Sequence, residues 1–333
     1  FDGVDVTVGY KDELSDYIER NNIKTICIHF LDYKMISVLK KVRRTLDLFV
    51  FVHGAEALKW YQRLFPGIVT SFKSFMVFIA GIINNTLDMT NIRSFLKHTH
   101  HKVHLITVSE WMRDIACKNW KCKDTFEWTL IPNIVNTELF KYYKKEPEFR
   151  FRLLSVRPYF TGKYANDITA KIVMRLSELP DFEKFYIKIA GDGRLYDKIT
   201  GPLKNFKNVK LQKKLFQQNE LAQMYKNYGV FLCPTRQDAQ GVSMCEAMAS
   251  GLVPVTLCNT AIPEFLPHIQ ELRCNSVDDM VNLIVKLCGN KELFEKLSSE
   301  CSRFIQEKCG YENTVQREIE MFCVTQGKVN ENS

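Results

Sequence analysis

Short runs rich in β-branched residues alternate along this chain with stretches of helical periodicity, the pattern by which crossover units build a parallel sheet. In the first half the strand-like runs fall at residues 4–8, 24–30, 48–52, 103–108 and 128–131. In the second half they fall at 151–156, 185–190, 209–212, 230–233 and 253–257. Two α/β sheets of Rossmann type are therefore expected, in domains spanning 1–147 and 148–310. Between them, Ile131-Pro-Asn-Ile-Val-Asn-Thr-Glu-Leu-Phe140 leads into a charged stretch, 141–150, without periodicity, which reads as a solvated linker. Past Val277 the pattern is helical, and Gly310 breaks it before a last amphipathic helix, within 311–326, expected to cross back to the first domain. The opening run leads into Gly9-Tyr-Lys-Asp-Glu13 without the glycine-rich turn usual in a doubly wound sheet. The first domain is accordingly expected to be incomplete at its N-terminus, the chain being a fragment without an opening strand and glycine loop.

At 333 residues the chain can bury two full cores. Its eleven cysteines, an odd number with no C-x-x-C pair, read as reduced core residues and point to the cytoplasm. A formal charge of +8 favours an anionic partner: a sugar nucleotide, a phospholipid surface or a nucleic acid. Nucleic acid is set aside, because no basic patch carries interleaved stacking aromatics. The apolar run Phe75-Met-Val-Phe-Ile-Ala-Gly-Ile-Ile83 is too short to span a bilayer. With Lys73, Arg93 and the basic turn Lys97-His-Thr-His-His-Lys102 it suits peripheral contact with an anionic membrane, on the inner face of the cell membrane. His98, His100 and His101 have no carboxylate or cysteine beside them and read as a solvated basic turn, not a metal site.

The chemistry concentrates in the second half. Asp238 and Glu246 stand eight positions apart across a strand-to-helix turn. The first can grip a polyol hydroxyl, and the second, near a positive helix end, can accept two hydroxyls of a neighbouring ring. Arg157 and Lys163 share a loop at a strand's carboxyl end, where such sheets bind ligands, and a fork and a point charge suit a diphosphate. In Ala190-Gly-Asp-Gly193 the glycines, Gly191 and Gly193, read as turn residues and Asp192 as the cap of the next helix. Leu215 and Phe216 either pack a base or lie in the core beneath a loop, with Asn219 as the cap that follows. The loop Cys258-Asn-Thr-Ala-Ile-Pro-Glu264 has amides before Pro263 that could clasp sugar hydroxyls, and Glu264 reads as a first-turn acid of its own helix. His53, at the end of a buried strand and before Gly54, fits a structural and a catalytic role equally. No Asp-x-Asp pair, serine elbow, Walker loop or zinc signature occurs, so neither a metal nor another cofactor is expected.

From Leu153 to Leu266 these residues together resemble the retaining glycosyltransferases of family 4, which have the two-domain GT-B fold. The resemblance is carried by Arg157 with Lys163, Gly191-Asp-Gly193, Pro234-Thr-Arg236, Asp238 with Glu246, and Thr260-Ala-Ile-Pro-Glu264. It implies two Rossmann-type domains facing a cleft, with a nucleotide-diphosphate sugar as donor. It further implies that Arg157 and Lys163 hold the diphosphate and Glu246 the ribose. Asp238, with the amides near Gln240, Gly241 and Val242, would then hold the transferred hexose, with Thr260 and Ala261 on the neighbouring loop. In the first domain, His53-Gly-Ala-Glu56 is similar to the family's histidine-glycine turn and Ser109-Glu110 to its Val-Ser-Glu strand end. The implied activity is metal-independent hexosyl transfer with retention, to a glycan or lipid-linked acceptor in surface polysaccharide or lipopolysaccharide synthesis. Asp238 in place of the usual Glu, Ala239-Gln240 in place of Gly-Phe, and Asn259-Thr-Ala261 in place of a glycine-rich turn depart from the pattern. A non-catalytic nucleotide-sugar-binding subunit and a GT-B epimerase are the alternatives.

Overall fold

In the computed structural model, residues 9–54, 56–62, 72–122 and 125–325 are described. The run at 4–8, and with it the expectation about how the first domain begins, lies outside the described residues. Contacts divide the chain into two compact units, one running to Ile131 and the other spanning Pro132–Val324.

The first unit is a parallel sheet of β1 (Thr25–His29), β2 (Asp47–Val52), β3 (Lys102–Thr107) and β4 (Trp128–Leu130), in that order. Its helices are α1 (Lys11–Arg20), α2 (Tyr33–Leu39), α3 (Phe72–His98) and α4 (Glu110–Trp120). Strand β2 is an unbroken apolar run because both faces are covered, and Leu48, Phe49 and Val50 are fully buried. Side-chain caps start α2 and α4: Asp32 accepts from the Met35 amide at 2.7 Å, and Ser109 from the Met112 amide at 3.3 Å. In the basic turn His101 is buried, its ring bonded to the Leu46 amide (3.3 Å) and the Leu39 carbonyl (3.1 Å). That histidine is a satisfied core side chain, which corrects the reading of the whole turn as solvated. Among the described residues no helix is long and apolar enough to cross a membrane.

The second unit is a five-stranded parallel sheet of β5 (Arg152–Val156), β6 (Tyr186–Gly191), β7 (Val209–Lys213), β8 (Val230–Leu232) and β9 (Val253–Val255). Around it lie α5 (Asn166–Leu176), α6 (Tyr196–Thr200), α7 (Gln218–Tyr225), α8 (Val242–Ala249), α9 (Val277–Gly289), α10 (Lys291–Cys309) and α11 (Val315–Thr325). The strand order is β7-β6-β5-β8-β9. From β5 the chain builds outward to β7, then returns to lay β8 on the other side of β5. That reversal leaves a crevice outside the carboxyl ends of β5 and β8, which no crossover helix fills.

Three expectations are corrected. The charged stretch after Phe140 is solvated only in part: Lys141, Lys144, Glu146 and Glu148 are exposed, but Lys145 is buried and donates to the Tyr225 carbonyl at 2.6 Å, and Arg150 donates to the Cys288 carbonyl at 2.9 Å. Backbone carbonyls take the charged heads while the stems are buried, and burial pulls the Lys145 amine down to about 7. Asp192 does not cap α6; its carboxylate accepts from the Gly193 amide at 2.7 Å, before the helix begins. Asn219 is not the cap of α7 either, since the Glu220 carboxylate accepts from the Gln217 amide at 2.9 Å. Most of the eleven cysteines are buried, and Cys27 is exposed.

Gly191 closes β6 with φ at +144°, and a Cβ there would sit 1.9 Å from the Arg157 carbonyl oxygen. Gly191→Ala is expected to destabilise the second unit by roughly 3–5 kcal/mol, from left-handed strain plus backbone overlap. A denaturant melt followed by circular dichroism measures it; a loss under about 1 kcal/mol would contradict this packing.

Candidate functional site

At the reversal between β5 and β8 the second unit holds a cavity of about 650 Å³. That is a usual size for a small-molecule site. Its walls carry Arg157, Lys163, Gly191, Leu215, Phe216, Asp238, Val242 and Glu246 together, so most of the residues singled out in the second half converge here.

Arg157 follows β5 directly and is only 4% exposed. Its backbone is pinned by a bond from its amide to the Ala190 carbonyl (3.1 Å) and by the close approach of Gly191. The guanidinium bonds Ser243 Oγ, lies 4.8 Å from the Tyr164 ring centroid, and has its nearest carboxylate oxygen, Asp238 Oδ2, at 3.9 Å. Its Nε is buried with no hydrogen-bond partner. Lys163 sits in a short 3-10 turn, Gly162–Tyr164, started by Thr161, with its ammonium 5.7 Å from the Tyr164 ring. Arg236 fixes that turn from the β8 side, bonding the Gly162 carbonyl (2.8 Å) and both oxygens of Asp167 (2.8 and 2.7 Å). Such a bidentate pair sets direction as well as position.

Asp238 lies on the turn after β8. One oxygen accepts from the Gly241 amide (2.9 Å) and the Gln240 amide (3.4 Å), which leaves the other facing Arg157. The neighbouring loop supports it: Thr260 Oγ accepts from the Asp238 amide (3.1 Å), and the Ala261 amide donates to the Asp238 carbonyl (3.3 Å). Ala261 is fully buried, and the Ile262 amide bonds the Asn259 carbonyl at 3.0 Å. Those two amides, expected to be free for sugar hydroxyls, are thus engaged within the chain. The side chain of Gln240 turns away from the cavity. Its carboxamide accepts from the Asn133 amide (2.7 Å) and donates to the Asn133 carbonyl (2.9 Å).

Gly241, with φ at +79°, caps the amino end of α8 and lets Val242, Ser243 and Glu246 line the cavity. Glu246 is 8% exposed, and burial pushes its carboxyl up to about 7. Among the described residues no cation or hydrogen-bond donor offsets that burial. Nearby, the fully buried Tyr225 hydroxyl has no partner, and burial first, then the Glu246 charge, push it upward. Phe216 is half-buried under the ammonium of Lys214 (5.0 Å to the ring centroid), while Leu215 is largely exposed.

His53 belongs to the other unit, at the carboxyl end of β2. Its Nε2 lies 2.8 Å from Nδ1 of His29, and its pKa is lowered by burial first and by His29 second. Among the described residues no group of three His, Cys, Asp or Glu is placed to hold a metal ion.

Ser243, Tyr164, Arg236 with Asp167, and Tyr225 were not read as parts of the site from sequence. Ser243 had a signal, since it stands one helical turn before Glu246 on the same face. The Arg236–Asp167 pair joins residues 69 positions apart, and nothing in local spacing announces it.

Residues 159–290 match the family model described as Glycosyl transferases group 1. No curated protein matches the sequence. Among solved structures, sucrose-phosphate synthase from Thermosynechococcus elongatus superposes with a TM-score of 0.71 at 12% identity, covering 95% of this chain and 77% of that one. A glycosyltransferase from Rickettsia africae ESF-5 gives 0.66 at 12% identity, covering 99% and 85%. TarM gives 0.65 at 16% identity, covering 92% of this chain, which spans only 57% of TarM. A variant of S. aureus TarM, solved in complex with Fondaparinux, alpha-GlcNAc-glycerol and UDP, gives 0.62 at 16% identity, covering 92% and 58%. The chain thus has the two-sheet fold of the GT-B glycosyltransferases, and residues 159–290 of its second unit match the group 1 glycosyl transferases.

Proposed function

We propose that this protein transfers a hexose from a nucleotide-diphosphate sugar to a glycan or lipid-linked acceptor, with retention and without a metal, in surface polysaccharide or lipopolysaccharide synthesis. The observation that carries the reading is one cavity lined by two cations, Arg157 and Lys163, and two carboxylates, Asp238 and Glu246. A sugar nucleotide presents that complement: a diphosphate for the cations and two sets of ring hydroxyls for the acids. UDP in the TarM complex supports the same class of donor. Arg157 and Lys163 stabilise the departing diphosphate, Glu246 accepts the ribose hydroxyls, and Asp238 holds the transferred sugar. With charge stabilised at the leaving group, an oxocarbenium-like centre needs no protein nucleophile. His53 is assigned to sugar contact by resemblance alone.

One observation favours a second reading, a subunit that binds donor without transfer. Asp238, a methylene shorter than Glu, is drawn to the amides of Gln240 and Gly241 in its own turn. We also propose that α3 touches an anionic membrane, because Phe75, Met76, Val77, Ile83 and Leu87 are exposed along it.

A thermal-shift screen across nucleotide sugars is expected to give selective stabilisation by one donor, by mass action. Lys163→Ala should then lower turnover about 10²- to 10³-fold with little change in melting temperature. Unchanged turnover sinks the assignment, and donor binding without product from any acceptor supports the second reading. Glu246 gives a pH signature. Because its folded pKa is raised, the native state keeps a proton that the unfolded state releases between about 4.5 and 7, so stability falls as pH rises through that window. Glu246→Gln should therefore be more stable than the parent at pH 8, by about 3 kcal/mol, with the gap closing below pH 4.5. It should also bind donor more weakly at pH 8 and lose the parent's decline in affinity below pH 7; calorimetry at several pH values reads both. Liposome flotation should recover the protein with anionic but not with neutral vesicles, and equal recovery would refute the membrane proposal.

A further inference from the structure

A second cavity, of about 690 Å³, lies between α7 and the sheet face of β5 and β6. Where a helix packs on a sheet, such a space is ordinarily filled by apolar side chains at close-packed density. Here α7 turns Glu220, Gln223 and Met224 into it, with Asn227 just beyond the helix, a spacing of i, i+3, i+4, i+7 that defines one helix face. Three of those four are polar. From the sheet come Arg152 of β5 and Tyr186 and Lys188 of β6, with Tyr228 beside them. The space persists because the residues that border it have no reason to leave water for one another.

Its charge is unbalanced. The one acid, Glu220, is committed to Lys214 and to the Gln217 amide. Lys188 makes no ion pair among the described residues, lies 5.6 Å from the Phe216 ring centroid, and has its pKa lowered by burial first and Lys214 second. The Arg152 guanidinium lies over Phe149 at 4.3 Å and donates one long bond, 3.4 Å, to the Asn227 carbonyl. Tyr186 and Tyr228 present rings 6.0 Å apart. Two cations without a carboxylate, two side-chain amides and a tyrosine pair match an acidic group, several hydroxyls and the apolar face of a pyranose ring.

The geometry points to this groove as a binding site for a small anionic saccharide, a hexose bearing a phosphate or a carboxylate, separate from the cavity that holds Arg157 and Glu246. Phe216 lines both cavities, as their common wall. The inference builds on the proposed donor site only in being distinct from it.

Calorimetric titration of the full chain tests it, with a hexose 6-phosphate, a hexuronate disaccharide, the uncharged disaccharide and inorganic phosphate as probes. At least one acidic sugar should bind, the phosphate ester or the uronate identifying which acid is preferred, and the uncharged sugar and inorganic phosphate should bind at least tenfold more weakly. Lys188→Gln and Arg152→Gln, each checked by circular dichroism to be folded, should each weaken the acidic sugar about tenfold, and Lys163→Ala should leave it unchanged. Absence of binding by both acids, inorganic phosphate binding equally well, or loss in Lys163→Ala but not in Lys188→Gln would overturn the assignment. Failure of every nucleotide sugar in the thermal-shift screen would instead strike the donor reading and leave these groove variants informative.

Discussion

A guanidinium almost removed from water, with too little negative charge to match it, governs the second unit. Arg157 has one close hydroxyl partner, an aromatic ring beneath it, a carboxylate oxygen at 3.9 Å and a buried Nε without a partner. Burying a cation so incompletely paired is unfavourable unless a ligand completes the shell. The fold accepts this because Arg157 has little freedom to move. Its backbone is tied to the end of β6, and only glycine at 191 permits that closeness. Glu246 is the mirror case, an acid buried without a cation and held partly protonated near neutrality. No ion pair joins these two groups, which line the same cavity, so the cavity suits a molecule that brings its own anion and its own hydroxyls.

Most of this architecture was legible in the residues. All nine described strands lie where β-branched runs alternate with helical periodicity, and the signal is plainest in β2, β8 and β9, where burial on both faces demands apolar residues. The convergence of Arg157, Lys163, Asp238 and Glu246 was legible for a related reason: each follows a strand, and strand ends gather at the reversal of a doubly wound sheet. What sequence did not disclose were the connections made across long separations. The Arg236–Asp167 pair, the contact of Arg157 with Ser243 and the orphaned Tyr225 hydroxyl all depend on how helices lie on the sheet, which periodicity leaves open. Lys145, within an otherwise largely exposed stretch, was misread for the opposite reason. Charge along a sequence suggests solvent, yet a long aliphatic stem can be buried whenever a carbonyl waits at its tip.

The loop Asn259-Thr-Ala261 departs from a glycine-rich pattern, and its polar atoms show what the replacement does. Thr260 adopts a left-handed conformation, φ at +49°, and its hydroxyl and the next amide brace the turn that carries Asp238. Rigidity supplied by side chains stands here in place of backbone freedom.

Gln240 grips both the N–H and the carbonyl of Asn133 much as one strand reads its neighbour. Asn133 is the second residue of the unit that begins at Pro132, so the carboxylate two positions before Gln240 is bolted to the point where the polypeptide enters this domain. Two hydrogen bonds and one short turn, with no helix between, thus tie the acid to the segment on which the domain opens.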